Sequence, residues 1–290
     1  MIKKIGIIVL VTLTFLTLNS CSSSQGENWN PSEMAVNIYN EEEAIGDGNI
    51  SLDVSSINEG YVGVKVKNAE GILFQLICND EKYNYKIDES DIPIFIPLQC
   101  ENGLYRFRFL KNTVDDKYVQ IFETNKEVEL IDEFKPFIRP SVMVAYDEDS
   151  YCVEEAKKLQ KKSSDEIDFI KKVYKFIQKK IDYDKDFAKS KPVMYYPDPD
   201  KTLKTGKGIC FDYATLAASM LRSQGIPTKV ITGYVSPNEL YHAWNMIYVE
   251  GEGWITVKIE VSSEDWNRID ITFADTGSQM DATYTDRLVY

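Results

Sequence analysis

Gly206-Lys207-Gly208-Ile209-Cys210-Phe211-Asp212-Tyr213-Ala214 runs on into TLAASMLRSQGIPTKVITGYV (215–235), and Tyr241-His242-Ala243-Trp244-Asn245 runs on into MIYVEGEGW (246–254). Glycines ahead of Cys210 let the chain turn sharply into a helix. Ala214, Ala217, Ala218 and Leu221 then repeat on one side, and Gly225 stops the helix. Small side chains in that pattern predict close packing at the centre of a domain. Residues 228–235, 241–249, 254–261 and 266–272 read as strands. Upstream, residues 151–162 read as one helix. Ser163-Ser164-Asp165-Glu166 opens another, with Ile167, Ile170, Tyr174 and Ile177 inward and Lys171, Lys172, Lys179 and Lys180 in water. Helices leading into an antiparallel sheet make residues 150–290 an α+β unit.

Working outward, residues 49–135 alternate with period two. Phe74, Leu76 and Cys78 share a face, as do Ile94, Ile96, Leu98 and Cys100, and Tyr105, Phe107 and Phe109. Seven short strands start near Ile50, Tyr61, Ile72, Tyr83, Ile94, Leu104 and Tyr118. That spacing predicts a small all-β, immunoglobulin-like sandwich. Pro93 and Pro97 put the fifth of these strands at an edge. Cys78 and Cys100 are expected in the core, free to pair as a disulfide in an oxidising compartment.

Residues 1–20 read as a secretory signal: Lys3 and Lys4, then an uncharged apolar run from Ile5 to Leu18 that is short of the roughly 20 residues a spanning helix needs. Leu18-Asn19-Ser20-Cys21 resembles a bacterial lipobox, with Cys21 as the lipidated residue. Residues 21–48 are expected to be a lipid-bearing tether. The chain is thereby expected to be membrane-anchored through lipid and to sit outside the cytoplasm.

The chain has 290 residues, 33 Lys+Arg, 46 Asp+Glu and a formal net charge of −13. This acidic excess argues against nucleic acid as a partner. A single histidine excludes three-His and two-His metal centres. Asp182, Asp184 and Asp186 lack the closing glycine and glutamate of a calcium loop and read as a solvated turn. No metal or cofactor is expected.

The chemistry resides in the opening stretch. Cys210 falls in the first turn of its helix, where free N–H groups and the positive dipole end favour a thiolate. A thiol nucleophile needs a base, and His242 is the one imidazole the chain owns. It shares a strand face with Trp244, Met246 and Tyr248. A carboxylate should orient it, and Asp270 suits, with Asp265 as runner-up. The Cys210 N–H is one oxyanion donor. Tyr195 or Tyr196 is expected to supply a second, unless both simply pack their loop. Cys152 is expected to be a packed thiol.

These stretches, with WNRIDITF (266–273), resemble the transglutaminase-like superfamily on the papain-like cysteine fold. The resemblance covers about 165–275. It implies Cys210 as nucleophile, His242 as base and Asp270 as acid. Members commonly place the acid four residues after the tryptophan that follows the histidine strand. Here that position is Lys258, and the spacing recurs at Trp266 and Asp270. The implied activity is acyl transfer on amide bonds through a Cys-thioester. Hydrolysis of peptide, protein or cell-wall peptide is favoured over cross-linking. An inactive surface scaffold or binding protein is the alternative.

Overall fold

The computed structural model describes residues 31–190, 194–235, 240–257 and 284–290. Residues 31–44, part of the tether expected over 21–48, form no helix or strand, turn at 41–43 and are pinned to the folded chain. Asn37 Nδ2 donates to Pro140 O (2.8 Å), and Asn37 Oδ1 accepts from Arg139 Nη1 (3.1 Å). Asn40 N donates to Asp53 Oδ2 (2.7 Å). Gly63 makes room for the Tyr39 ring, whose nearest atom would lie 2.5 Å from an added Cβ.

Two four-stranded antiparallel sheets follow. The first contains β1 (Ile45–Gly46), β2 (Ile50–Asp53), β3 (Tyr61–Val66) and β6 (Ile94–Pro97). The second contains β4 (Ile72–Cys78), β5 (Glu81–Lys86), β7 (Gly103–Val114) and β8 (Lys117–Val128). Their orders are β1-β2-β3-β6 and β5-β4-β7-β8, so the proline-flanked β6 is an edge, as expected. Leu52, Val64 and Ile96 of one sheet share an apolar cluster with Phe74, Leu76, Phe107 and Phe109 of the other. The two sheets stack as a small sandwich. The β7–β8 pair is longer than the short strands expected. On the face opposite Phe107 and Phe109 it is held by polar cross-strand contacts such as Arg108 Nε to Glu123 Oε2 at 2.7 Å. Cys78 and Cys100 form a disulfide.

The helical part begins with α1 (Tyr151–Gln160) and α2 (Glu166–Lys180). Asp165, rather than a serine, caps α2 by accepting from Asp168 N at 2.8 Å. Then come β9 (Asp182–Tyr183), α3 (Lys185–Lys189), α4 (Pro199–Thr205), β10 (Lys207–Gly208) and α5 (Cys210–Arg222). Asp182 and Asp186 are exposed, as expected, but the stretch is not a plain turn: Asp182 pairs in β9 and Asp184 caps α3, accepting from Phe187 N at 2.9 Å. Finally β11 (Thr228–Val235), β12 (Leu240–Val249), β13 (Gly253–Val257) and β14 (Tyr284–Val289) make an antiparallel sheet in the order β13-β12-β11-β14. The expected strand at 266–272 lies outside the described residues, whereas β14 was not expected. None of the described helices is long and apolar enough to cross a membrane.

Two buried polar side chains hold this half together. Asn245 accepts from Tyr174 Oη (2.9 Å) and donates to Ala214 O (3.0 Å) and Lys229 O (3.2 Å), linking α2, α5, β12 and β11. Arg222 is fully buried and donates to Thr228 O (2.8 Å), Arg139 O (3.2 Å) and Tyr290 O (2.9 Å). Burial lowers its pKa to about 10, and the cation is solvated by backbone carbonyls in place of water. Replacing Arg222 with Met should leave those carbonyls unpaired and cost roughly 3–5 kcal/mol of stability, read by urea unfolding; a change within ~0.5 kcal/mol would contradict this role.

Candidate thiol site

The site is assembled on the turn into α5. The two-residue parallel ladder of β9 and β10 sets Lys207 opposite Asp182 and Gly208 opposite Tyr183. Ile209 N donates to Asp212 Oδ2 at 2.8 Å, so the third residue of α5 reaches back and caps it. Gly208 is required by that cap. A Cβ there would meet Asp212 Cβ at 2.7 Å. Cys210 is thereby held as the first residue of α5.

Cys210 is a free thiol that keeps some exposed surface, although protein atoms crowd most of the sulfur. Burial pushes its pKa up to about 11. Backbone N–H groups of Ala243 and Phe211 donate to the sulfur and pull the other way, but do not win. The thiolate expected at a helix start is therefore not present in this state. Desolvation of the anion exceeds what the helix terminus returns. His242 is buried, with its Nε2 lacking a hydrogen-bond partner. Burial lowers its pKa to about 4. Thiol and imidazole are thus both neutral near pH 7. Among the described residues no hydrogen bond joins Cys210 Sγ to His242. The link between them is through the backbone: Ala243, whose N–H reaches the sulfur, follows His242 on β12.

The two adjacent tyrosines part company. The Tyr195 ring sits edge-on to Phe187 (centroids 5.3 Å) and to Phe211 (5.7 Å). Its hydroxyl is buried with no partner in hydrogen-bond geometry, although the Asp212 carboxylate lies close by. Burial, then the nearby charges of Asp212 and Cys210, push its pKa up. Tyr196 turns the opposite way and donates to Lys86 O at 2.8 Å. As an oxyanion donor Tyr196 is excluded by geometry, since its one hydroxyl hydrogen is given to the sandwich. Asp270, Asp265, Lys258 and Cys21 lie outside the described residues. Cys152 is a packed thiol, pushed up by burial and the Asp200 carboxylate. Asp200 accepts from Tyr151 N (2.7 Å) and Cys152 N (2.9 Å).

Sequence reasoning gave no role to Tyr183, whose pKa is raised by burial and then by the nearby Cys210 and Asp212, or to Asp212, whose charge raises the Cys210 pKa. The acid two residues after Cys210 and three after Ile209 is the capping signal that could have revealed the second. Among the described residues no group of three or more His, Cys, Asp or Glu side chains is placed to hold a metal.

A helix-start thiol is thus packed on an antiparallel strand that carries a buried imidazole. Residues 154–259 match the family model described as transglutaminase-like superfamily. Over that segment the chain is similar to the superfamily its motifs resemble. A UPF0252 protein of Pyrococcus horikoshii is 38% identical over 77 residues, which is 26% of this chain and 23% of that protein. The chain thus matches about a quarter of that relative. Among solved structures, a candidate cysteine protease from Cytophaga hutchinsonii aligns with 56% of each chain at 20% identity and a TM-score of 0.36. Red sea bream transglutaminase aligns with 68% of this chain and 47% of its own at 12% identity and a TM-score of 0.33.

The histidine makes a prediction about stability. Its folded pKa lies below the unfolded value, so as pH falls below about 6.5 only the unfolded chain takes the proton, and stability drains away until the folded group titrates near 4. Wild type should lose roughly 2–4 kcal/mol more than His242→Gln between pH 7 and pH 4. Urea unfolding at several pH values checks this, and parallel curves for the two proteins would refute it.

Proposed function

We propose that the chain is a thiol acyl-transfer enzyme in which Cys210 is the nucleophile, His242 the general base and Asp270 the orienting acid. The transglutaminase-like segment supports the class. One observation carries the residue assignment. A free, partly exposed thiol opens α5 and is bonded to the strand that holds the single histidine.

The neutral pair defines how the step would run. A neutral imidazole is ready to accept a proton, whereas a protonated one is not. As Cys210 Sγ attacks a carbonyl carbon, its proton passes to His242. The carbonyl oxygen becomes an oxyanion, for which the Cys210 N–H and the unpartnered Tyr195 hydroxyl are donors. Collapse breaks the C–N bond, and the imidazolium returns the proton to the leaving amine. A thioester remains. Water then attacks it, giving the acid and restoring the thiol. An amine in place of water would give cross-linking, and hydrolysis is the outcome we favour because bulk water competes well with an amine unless a site is built to exclude it. The substrate class proposed is peptide, protein or cell-wall peptide. The signal-like 1–20 and Cys21 support lipid anchoring outside the cytoplasm.

The second reading, a scaffold with a retained fold, is favoured by the missing thiol–imidazole hydrogen bond. Iodoacetamide labelling of Cys210 between pH 5 and 8 separates the two. Under the enzymatic reading His242→Ala should slow labelling near neutrality by on the order of 10²-fold, with Cys152 staying unlabelled as an internal control. Equal rates in both proteins would favour the scaffold.

A further inference from the structure

The sandwich reaches the thiol site along two routes. On one side, Tyr196 donates to Lys86 O at the end of β5 (2.8 Å), while its neighbour Tyr195 is wedged between Phe187 and Phe211 beside Cys210. On the other, Tyr83 of β5 meets the Tyr290 ring (centroids 5.9 Å), and Tyr290 in turn lies 6.4 Å from Phe211. Tyr83 also bonds the Val289 backbone. Strand β5 is the edge of its sheet, so it can serve another part of the chain without giving up a pairing strand. Chain continuity does the rest: once the Tyr196 hydroxyl is fixed on Lys86, the preceding residue is fixed too, and its ring is held against Phe211, the residue next to Cys210.

We propose that Tyr196 is a positioning residue through which the β-sandwich holds Tyr195 beside Cys210, making the sandwich a working wall of the thiol site. This gives the β-module a role in the chemistry rather than in spacing or binding alone. It builds on Cys210 as nucleophile, but alkylation of the thiol needs no turnover. A chain inert toward every substrate could still show the coupling, and an active one could lack it, so the two readings fail separately.

The test is the pH profile of iodoacetamide labelling at Cys210 in the full chain, alongside thermal unfolding. Tyr196→Phe removes one oxygen from a half-buried ring and retains the fold. Released, Tyr195 should uncover the sulfur, so that labelling at pH 8 speeds up about threefold to tenfold and the profile moves to lower pH. Tyr195→Ala should produce a shift in the same direction, and adding Tyr196→Phe to it should change nothing further. Tyr83→Phe loosens the same junction elsewhere and should leave the profile in place. A wild-type profile for Tyr196→Phe overturns the proposal. So does an equal effect of that change when Tyr195 is already Ala, or an equal shift from Tyr83→Phe.

Discussion

Asn245 is the constraint on which the thiol module depends. One side chain with one acceptor and two donors meets a hydroxyl from α2, a carbonyl from α5 and a carbonyl from β11. Buried amides are costly unless every group is used, and here the known partners use both ends. That satisfaction fixes how far along β12 the helix sits. The helix start then falls at Ala243, where the backbone N–H meets the Cys210 sulfur. Arg222 performs the same service at the far end of α5, tying the helix to the start of β11 and to Tyr290.

The electrostatics follow from that packing. A helix N-terminus stabilises an anion by a modest amount, and two backbone donors add to it. The surrounding apolar and aromatic groups remove water from the sulfur, and the loss outweighs the gain. The same burial keeps His242 uncharged. In the proposed mechanism such a neutral pair would move a proton during attack and would not store an ion pair beforehand.

Much of this was legible in the residues. Seven of the eight strands of the β-module begin close to where alternation places them, because period two with turn signals is a local pattern; the two-residue β1 was not expected. The edge position of β6 followed from its prolines. Residues 206–254 gave helix, strand and strand in order, with Cys210 and His242 where they were expected. Other features were not legible, for identifiable reasons. Short helices such as α4 carry little periodicity, and the proline at its start reads equally well as a loop. Strand β14 depends on a partner, β11, some fifty residues earlier. Residues 31–44 form no helix or strand of their own, so they read as linker until the groups that hydrogen-bond them are in place. The charge of Cys210 could not be deduced from its position on the helix, since desolvation is a property of everything folded around it.

By itself the sequence determined the classes of element, the half of the chain that carries the thiol, and the identity of the one available imidazole. Those are properties of residue type and local spacing. Only the tertiary structure decided that Cys78 and Cys100 pair, that Tyr195 and Tyr196 face different parts of the molecule, and that thiol and imidazole rest uncharged. Each of these depends on which groups from distant segments come within a few ångströms and how much water they displace, and no local pattern encodes that.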